Sequence, residues 1–166
     1  ITVVEGQSAR YAGSTLKYVH QDFTIRFAYE ATDKLVRFTD YKDIKFRSRT
    51  VFSFHRPETL KALLAEGDTV RNNMKHFPAL DDTGFRRCQI SAIHNLDISF
   101  ADNHPKALVQ MATGAGKTFT AITAAYRLLK YGKMNRILFL VDTKSLGEQA
   151  EREFMAYTPN DDPRSF

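Results

Sequence analysis

The stretch Met111-Ala112-Thr113-Gly114-Ala115-Gly116-Lys117-Thr118 constrains this chain more than any other. It follows a short apolar run, Ala107-Leu108-Val109-Gln110, and precedes a helical pattern from Phe119 to Tyr131. Strand, glycine loop and helix form the context that a phosphate-binding loop requires. Gly114 and Gly116 allow positive φ and a close backbone approach to an anion. Successive N–H groups can then face that anion at the positive end of the following helix. Thr113, Gly114, Ala115 and Gly116 would form the cradle. Lys117 is placed to reach the β- and γ-phosphates of ATP, and Thr118 to hold Mg²⁺ through the nucleotide. The competing reading is a glycine-rich turn that binds nothing.

The full pattern G-x-x-x-x-G-K-[ST] is not met, because Met111 stands where its first glycine would be. Met-Ala-Thr-Gly-Ala-Gly-Lys-Thr resembles motif I of superfamily 2 helicases and translocases, which dispense with that glycine. Arg87-Cys88-Gln89 precedes the loop, with Gln89 standing 25 residues before Gly114. Many members of that superfamily carry an Arg-x-Tyr-Gln segment here, and the resemblance implies that Gln89 reads adenine. An amide suits the task because it both donates and accepts. Read alone, Gln89 is an ordinary residue at a helix start. Leu140-Val141-Asp142-Thr143-Lys144-Ser145-Leu146 and Gln149 resemble the next superfamily motif. That likeness implies that Thr143, Lys144 and Ser145 touch the DNA backbone, and a helix N-terminus with hydroxyls and a cation favours phosphate. Thr143 or Ser145 could equally be a simple helix cap.

The rest of the chain supplies the frame. A length of 166 residues suits one domain or parts of two. The net charge of +5 leans weakly towards a polyanionic partner. Cys88 is the sole cysteine, which suits a reducing compartment, and it reads as a packed thiol. No apolar run approaches membrane-spanning length. A cytoplasmic protein without membrane contact is expected. The start at Ile1, without methionine, reads as a piece of a longer protein.

Taken in order, Glu5 to Tyr18 reads as a helix carrying Ala9, Tyr11, Ala12 and Leu16, weakened by Gly13. Phe23, Ile25, Phe27 and Tyr29 alternate with polar or small residues as in a half-buried strand, and Leu35–Thr39 reads as its return strand. Cations outnumber acids from Arg37 to Arg56, as in a solvated loop or a phosphate-backbone contact. Helices are expected from Arg56 to Glu66 and from Asp68 to His76, with a boundary over Pro78–Gly84. Arg86 to Phe100 reads as a helix. Arg136–Val141 reads as a buried parallel strand, followed by a helix to Tyr157. This succession predicts an α/β fold with a doubly wound parallel sheet.

Gln7 and Tyr11 stand four apart, hence on one helix face. Gln-x-x-x-Tyr resembles the last motif of RecB-like nucleases, where the pair helps orient the catalytic site. Taken alone, it reads as a surface helix with a half-buried tyrosine. The order of parts adds specificity: this helix, a hairpin, Val51-Phe52-Ser53-Phe54-His55-Arg56-Pro57-Glu58-Thr59-Leu60, then the loop and Leu-Val-Asp-Thr-Lys. That order resembles the restriction (R) subunit of type I restriction–modification enzymes. The resemblance implies a RecB-like nuclease tail over 1–50, a helical linker over 51–84, and part of a RecA-like motor over 85–166. It implies an ATP-dependent, DNA-translocating and DNA-cleaving subunit that works on double-stranded DNA with methyltransferase and specificity subunits. Lys117, Gln7 and Tyr11 would be its catalytic residues present here.

The resemblance puts the nuclease's acidic residues and lysine before Ile1, and the Asp-Glu-x-His motif after Phe166. No Asp-Glu pair occurs in the sequence, and His20, His55, His76, His94 and His104 form no metal spacing. The 166 residues alone are therefore expected to be inactive. Two other readings stand beside this one: another superfamily 2 DNA helicase or repair motor, and a nucleotide- and DNA-binding module without turnover.

Overall fold

A computed structural model describes residues 2–15, 17–18 and 24–162. The chain divides into two units, Ile1–Thr69 and Val70–Phe166.

The first unit opens with α1 (Thr2–Ala12). The helix stops sooner than its apolar positions suggest, because Gly13 follows and its N–H closes the last turn onto the Ala9 carbonyl at 3.0 Å. Leu16 of the expected helix and Phe23 of the expected strand lie outside the described residues. Three antiparallel strands follow: β1 (Phe27–Ala31), β2 (Val36–Asp40) and β3 (Arg49–Val51), in spatial order β1-β2-β3. The expected hairpin is present, closed by Thr32 N–H on the Leu35 carbonyl at 2.8 Å. Pairing of Tyr29 with Phe38, and Phe38 with Arg49, puts these side chains on one face.

Phe38 is the centre of that face, only 1% exposed. The Phe27 and Tyr29 rings lie 5.6 and 5.0 Å from it, and the His55 ring meets it edge-on at 4.6 Å. His55 Nδ1 is also 2.5 Å from Tyr29 Oη. The histidine of Phe-His-Arg-Pro-Glu-Thr thus ties the segment entering α2 (Pro57–Ala65) to the sheet. At the far end of β2, Arg26 grips Asp40 with two hydrogen bonds, of 2.9 and 2.8 Å, and donates a third to the Leu63 carbonyl. A buried carboxylate needs such a partner. Strand β3 departs from the sequence expectation, which read this basic stretch as a loop or a phosphate contact. Thr50 and Val51 are β-branched, and flanking arginines suit a short edge strand protected by charge.

The second unit starts with α3 (Val70–Asn73), which tightens into a 3₁₀ turn (Met74–His76) before Pro78. The expected single helix over Asp68–His76 is therefore shorter and broken. Helices α4 (Arg87–Ala101), α5 (Lys117–Lys130) and α6 (Lys144–Ala156) lie within two residues of the expected positions. Helix α5 touches both α4 and α6. Its Ile122 and Tyr126 form a core with Tyr157, while Ile93 of α4 is wholly buried. Arg127 of α5 reaches Asp97 of α4 at 2.8 Å and donates to the Pro78 carbonyl. Burial pushes the Asp97 carboxyl above its ordinary range, and Arg127 opposes that shift.

The protein is thus a mixed α/β chain, but its only sheet among the described residues is the antiparallel one. The runs Ala107–Gln110 and Arg136–Val141, expected as parallel strands, carry no ladder with each other or with any described strand. Leu108 is 94% exposed, and Leu138 and Leu140 are 81% exposed. A strand is defined by its hydrogen-bonded neighbour, and apolar sequence marks only a segment suited to having one.

Candidate nucleotide-binding site

The helix that starts at Lys117 is preceded by a tight backbone loop. Gly114 and Gly116 adopt φ of +76° and +84°, in the left-handed region that side chains avoid. Gly116 is the N-cap of α5. The loop folds on itself through Ala115 N–H, which donates to the Ala112 carbonyl at 3.2 Å. The Lys117 ammonium donates to the same carbonyl at 3.2 Å. Thr113 is exposed at the turn, and Thr118 is half-buried in the first turn of α5. The first N–H groups of a helix have no intrahelical acceptor, so an anion before α5 would meet donors and the positive end of the helix.

Gln89 is brought against this loop, although 25 residues separate it from Gly114 in sequence. Its side chain is 6% exposed and engaged at both ends. Oε1 accepts from Arg86 N–H at 2.9 Å, closing the start of α4, and Nε2 donates to the Ala115 carbonyl at 3.1 Å. Gln89 also occupies the space beside Gly116: a Cβ added there would lie 2.3 Å from its Nε2. Each amide atom retains one further hydrogen-bonding position, so base recognition and loop contact are compatible. Sequence reasoning missed Arg86, whose guanidinium donates to the Gly114 carbonyl at 2.6 Å. The signal was the arginine doublet Arg86-Arg87 at a helix start, where a carbonyl partner is not visible from composition. Cys88, expected to be packed, is exposed. It lines an open cavity of about 630 Å³ between α4 and the 107–112 segment.

Thr143 caps α6, its Oγ1 accepting from Leu146 N–H at 3.4 Å. Lys144 is 91% exposed and lies 3.5 Å from Glu148, one turn on. Ser145 is exposed as well. Among the described residues no hydrogen bond joins these three to the phosphate loop. The cap leaves the residues at the helix start open to solvent, so capping and phosphate contact can coexist. In the first unit Gln7 Nε2 donates to Tyr11 Oη at 2.8 Å on α1, so the four-residue spacing does bring the pair together. Tyr11 is 64% exposed, whereas the sequence suggested a half-buried ring. No group of three or more histidine, cysteine or carboxylate side chains suited to a metal occurs among the described residues. No helix among them is long and apolar enough to cross a membrane.

Residues 82–165 match the family described as "Type III restriction enzyme, res subunit". That match takes in Arg86, Gln89, the glycine loop and Thr143 to Ser145. Over 141 residues the chain is 34% identical to the type I restriction enzyme EcoKI endonuclease subunit of Escherichia coli K12, covering 78% of this chain and 12% of that protein. Over 66 residues it is 38% identical to the type I restriction enzyme EcoAI endonuclease subunit of Escherichia coli, covering 40% of this chain and 8% of that protein. The chain therefore spans a small part of the length of these relatives. No solved structure matches. With a family match that begins before α4 and ends after α6, and type I endonuclease subunits as relatives, the chain belongs to the restriction-enzyme res-subunit family.

Proposed function

We propose that this chain is part of the subunit of a type I restriction endonuclease that hydrolyses ATP, translocates duplex DNA and cleaves it. The observation that carries the reading is the loop before α5: two glycines at positive φ, a lysine at the helix start, and a buried glutamine braced against the loop. Thr113 to Gly116 would surround the phosphates. Lys117 would exchange its Ala112 carbonyl for the β- and γ-phosphates, a gain because the new partner carries full negative charge. Gln89 would read adenine with its remaining donor and acceptor. Thr118 would hold Mg²⁺, which neutralises developing charge during phosphoryl transfer when it is bound. Thr143, Lys144 and Ser145 would meet a DNA phosphate at the start of α6.

In this reading residues 85–166 are part of a RecA-like motor, 51–84 a helical linker, and 1–50 the end of a RecB-like nuclease domain. The exposed apolar runs 107–110 and 136–141 support the first assignment, because a parallel sheet would cover both. The hydrogen-bonded Gln7–Tyr11 pair supports the last, as a unit that would orient the nuclease site. Methyltransferase and specificity subunits are the proposed partners, and the cytoplasm the proposed location.

The test is Lys117→Ala in the full-length protein. Removing the cation that meets the γ-phosphate should abolish ATP hydrolysis, translocation and cleavage together. Wild-type ATP turnover by that variant would remove the phosphate-loop assignment.

A further inference from the structure

The basic stretch of the first unit plays no part in the site before α5. Residues 44–57 carry Lys45, Arg47, Arg49 and Arg56 and no acidic residue. Aromatic rings stand among these cations. Phe52 is fully exposed, and half-exposed Phe46 meets the Tyr41 ring edge-on at 4.9 Å. Phe46 and Arg47 also border a cavity of about 140 Å³, which Glu30 lines from β1. Charged flanks alone protect a short edge strand such as β3. That role needs no exposed ring, and an apolar ring left in water forgoes the gain of burial. Phe46 and Phe52 stand six residues apart, at most about 20 Å of extended chain, so one short oligonucleotide can reach both.

We propose that segment 45–56, built around β3, binds an unpaired stretch of DNA, with Phe46 and Phe52 stacking on bases and the four cations meeting phosphates. A single strand alternates an anionic phosphate with a flat, largely apolar base, and this segment alternates the two complementary chemistries. A duplex keeps its base faces inside its own stack and would meet only the cations. An acidic protein segment would satisfy the cations and leave the rings without flat partners. Glu30 repels phosphate but accepts from base N–H groups, so the cavity beside Phe46 suits a base and not the backbone. The inference is independent of the nucleotide site and rests on the proposal that the whole protein works on DNA.

The experiment uses the full-length protein without nucleotide and compares wild type, Phe52→Ala, Phe52→Trp and Arg49→Gln. Affinities for a short oligothymidylate and for a duplex of the same length are measured by fluorescence anisotropy over a range of salt. Oligothymidylate carrying 5-iodouracil is photo-cross-linked and the attached peptide identified, and hydroxyl-radical footprinting reports the exposure of Phe52 in DNA-free protein. Phe52→Ala should weaken single-strand binding about tenfold, as expected for one lost stacking partner, and leave duplex binding and the salt dependence unchanged. Phe52→Trp, which keeps a stacking surface, should bind like wild type. Arg49→Gln should lower the slope of log affinity against log salt by about 0.7 for the single strand, the loss of one phosphate contact. The cross-link should fall on Phe46 or Phe52. Cross-links confined to other segments would overturn the proposal, as would equal loss of single-strand and duplex binding in Phe52→Ala. A Phe52 ring already shielded in DNA-free protein would overturn it by making the ring a packing contact with another part of the protein. Wild-type protein that binds neither form of DNA would remove the DNA reading itself. Wild-type protein that binds duplex but no single strand would remove this inference alone.

Discussion

Gly116→Ala tests how tightly the loop and Gln89 are built together. Two costs arise at that position. An alanine at φ +84° is in the left-handed region, which costs about 1–2 kcal/mol for an L-residue. The new methyl would also lie 2.3 Å from Gln89 Nε2, so the amide must move. Gln89 is the flexible end of a side chain, and the steric part of that move is small. Its hydrogen bonds are another matter, since the amide is buried and bonds Ala115 and Arg86 at 3.1 and 2.9 Å. Losing one or both costs about 1–2 kcal/mol. In the wild-type background Gly116→Ala should therefore cost about 2–4 kcal/mol in ATP binding. In a Gln89→Ala background only the backbone cost of about 1–2 kcal/mol should remain. The double-mutant cycle should show a coupling of about 1–2 kcal/mol, measured by ATP titration with a denaturant melt of each variant as the folding control. Additive effects, within about 0.5 kcal/mol, would refute the claim that Gln89 fills the space beside Gly116.

Gln7→Ala or Tyr11→Ala in the full-length protein should lower DNA cleavage while ATP hydrolysis stays near wild type. Loss of ATPase with cutting intact would contradict the nuclease assignment of α1. The 166-residue chain by itself should bind ATP weakly and release no phosphate, because ground-state contacts alone do not lower the barrier. Phosphate release that disappears in its Lys117→Ala version would show otherwise. Burial raises the Tyr157 hydroxyl above its ordinary value of 10.0. A raised folded-state value gives stability that is present below pH 10.0 and lost as pH climbs through the folded value. Tyr157→Phe should therefore flatten the alkaline limb of a stability–pH curve. An unchanged limb would reject this role.

The glycine loop and α5 were legible because positive-φ glycines, a lysine and an amphipathic repeat each leave a local mark. The hairpin was legible for a similar reason, since Phe27, Tyr29 and Phe38 alternate and a short turn joins the strands. Strand β3 was not, because three residues with an arginine carry almost no period and owe their conformation to β2. The contact of Gln89 with Ala115 was half legible: the residue stood out, but its bracing of the loop depends on where α4 lies. Arg86 was legible only in part: the doublet Arg86-Arg87 marks a helix start, but the Gly114 carbonyl it reaches depends on where the loop lies against α4. Ala107–Gln110 and Arg136–Val141 show the converse limit. Their apolarity states a preference for a sheet, while pairing depends on neighbours that a local pattern cannot supply.

The central claim is that nucleotide hydrolysis at the loop before α5 powers work on DNA by the protein that contains this chain. The most direct measurement is cleavage of circular duplex DNA by the full-length protein assembled with its partner subunits, with ATP, with a non-hydrolysable analogue and without nucleotide. Phosphate release is followed in the same samples. The account predicts cleavage and phosphate release together with ATP, and neither in the other two samples. Cleavage that proceeds equally without ATP hydrolysis would contradict it.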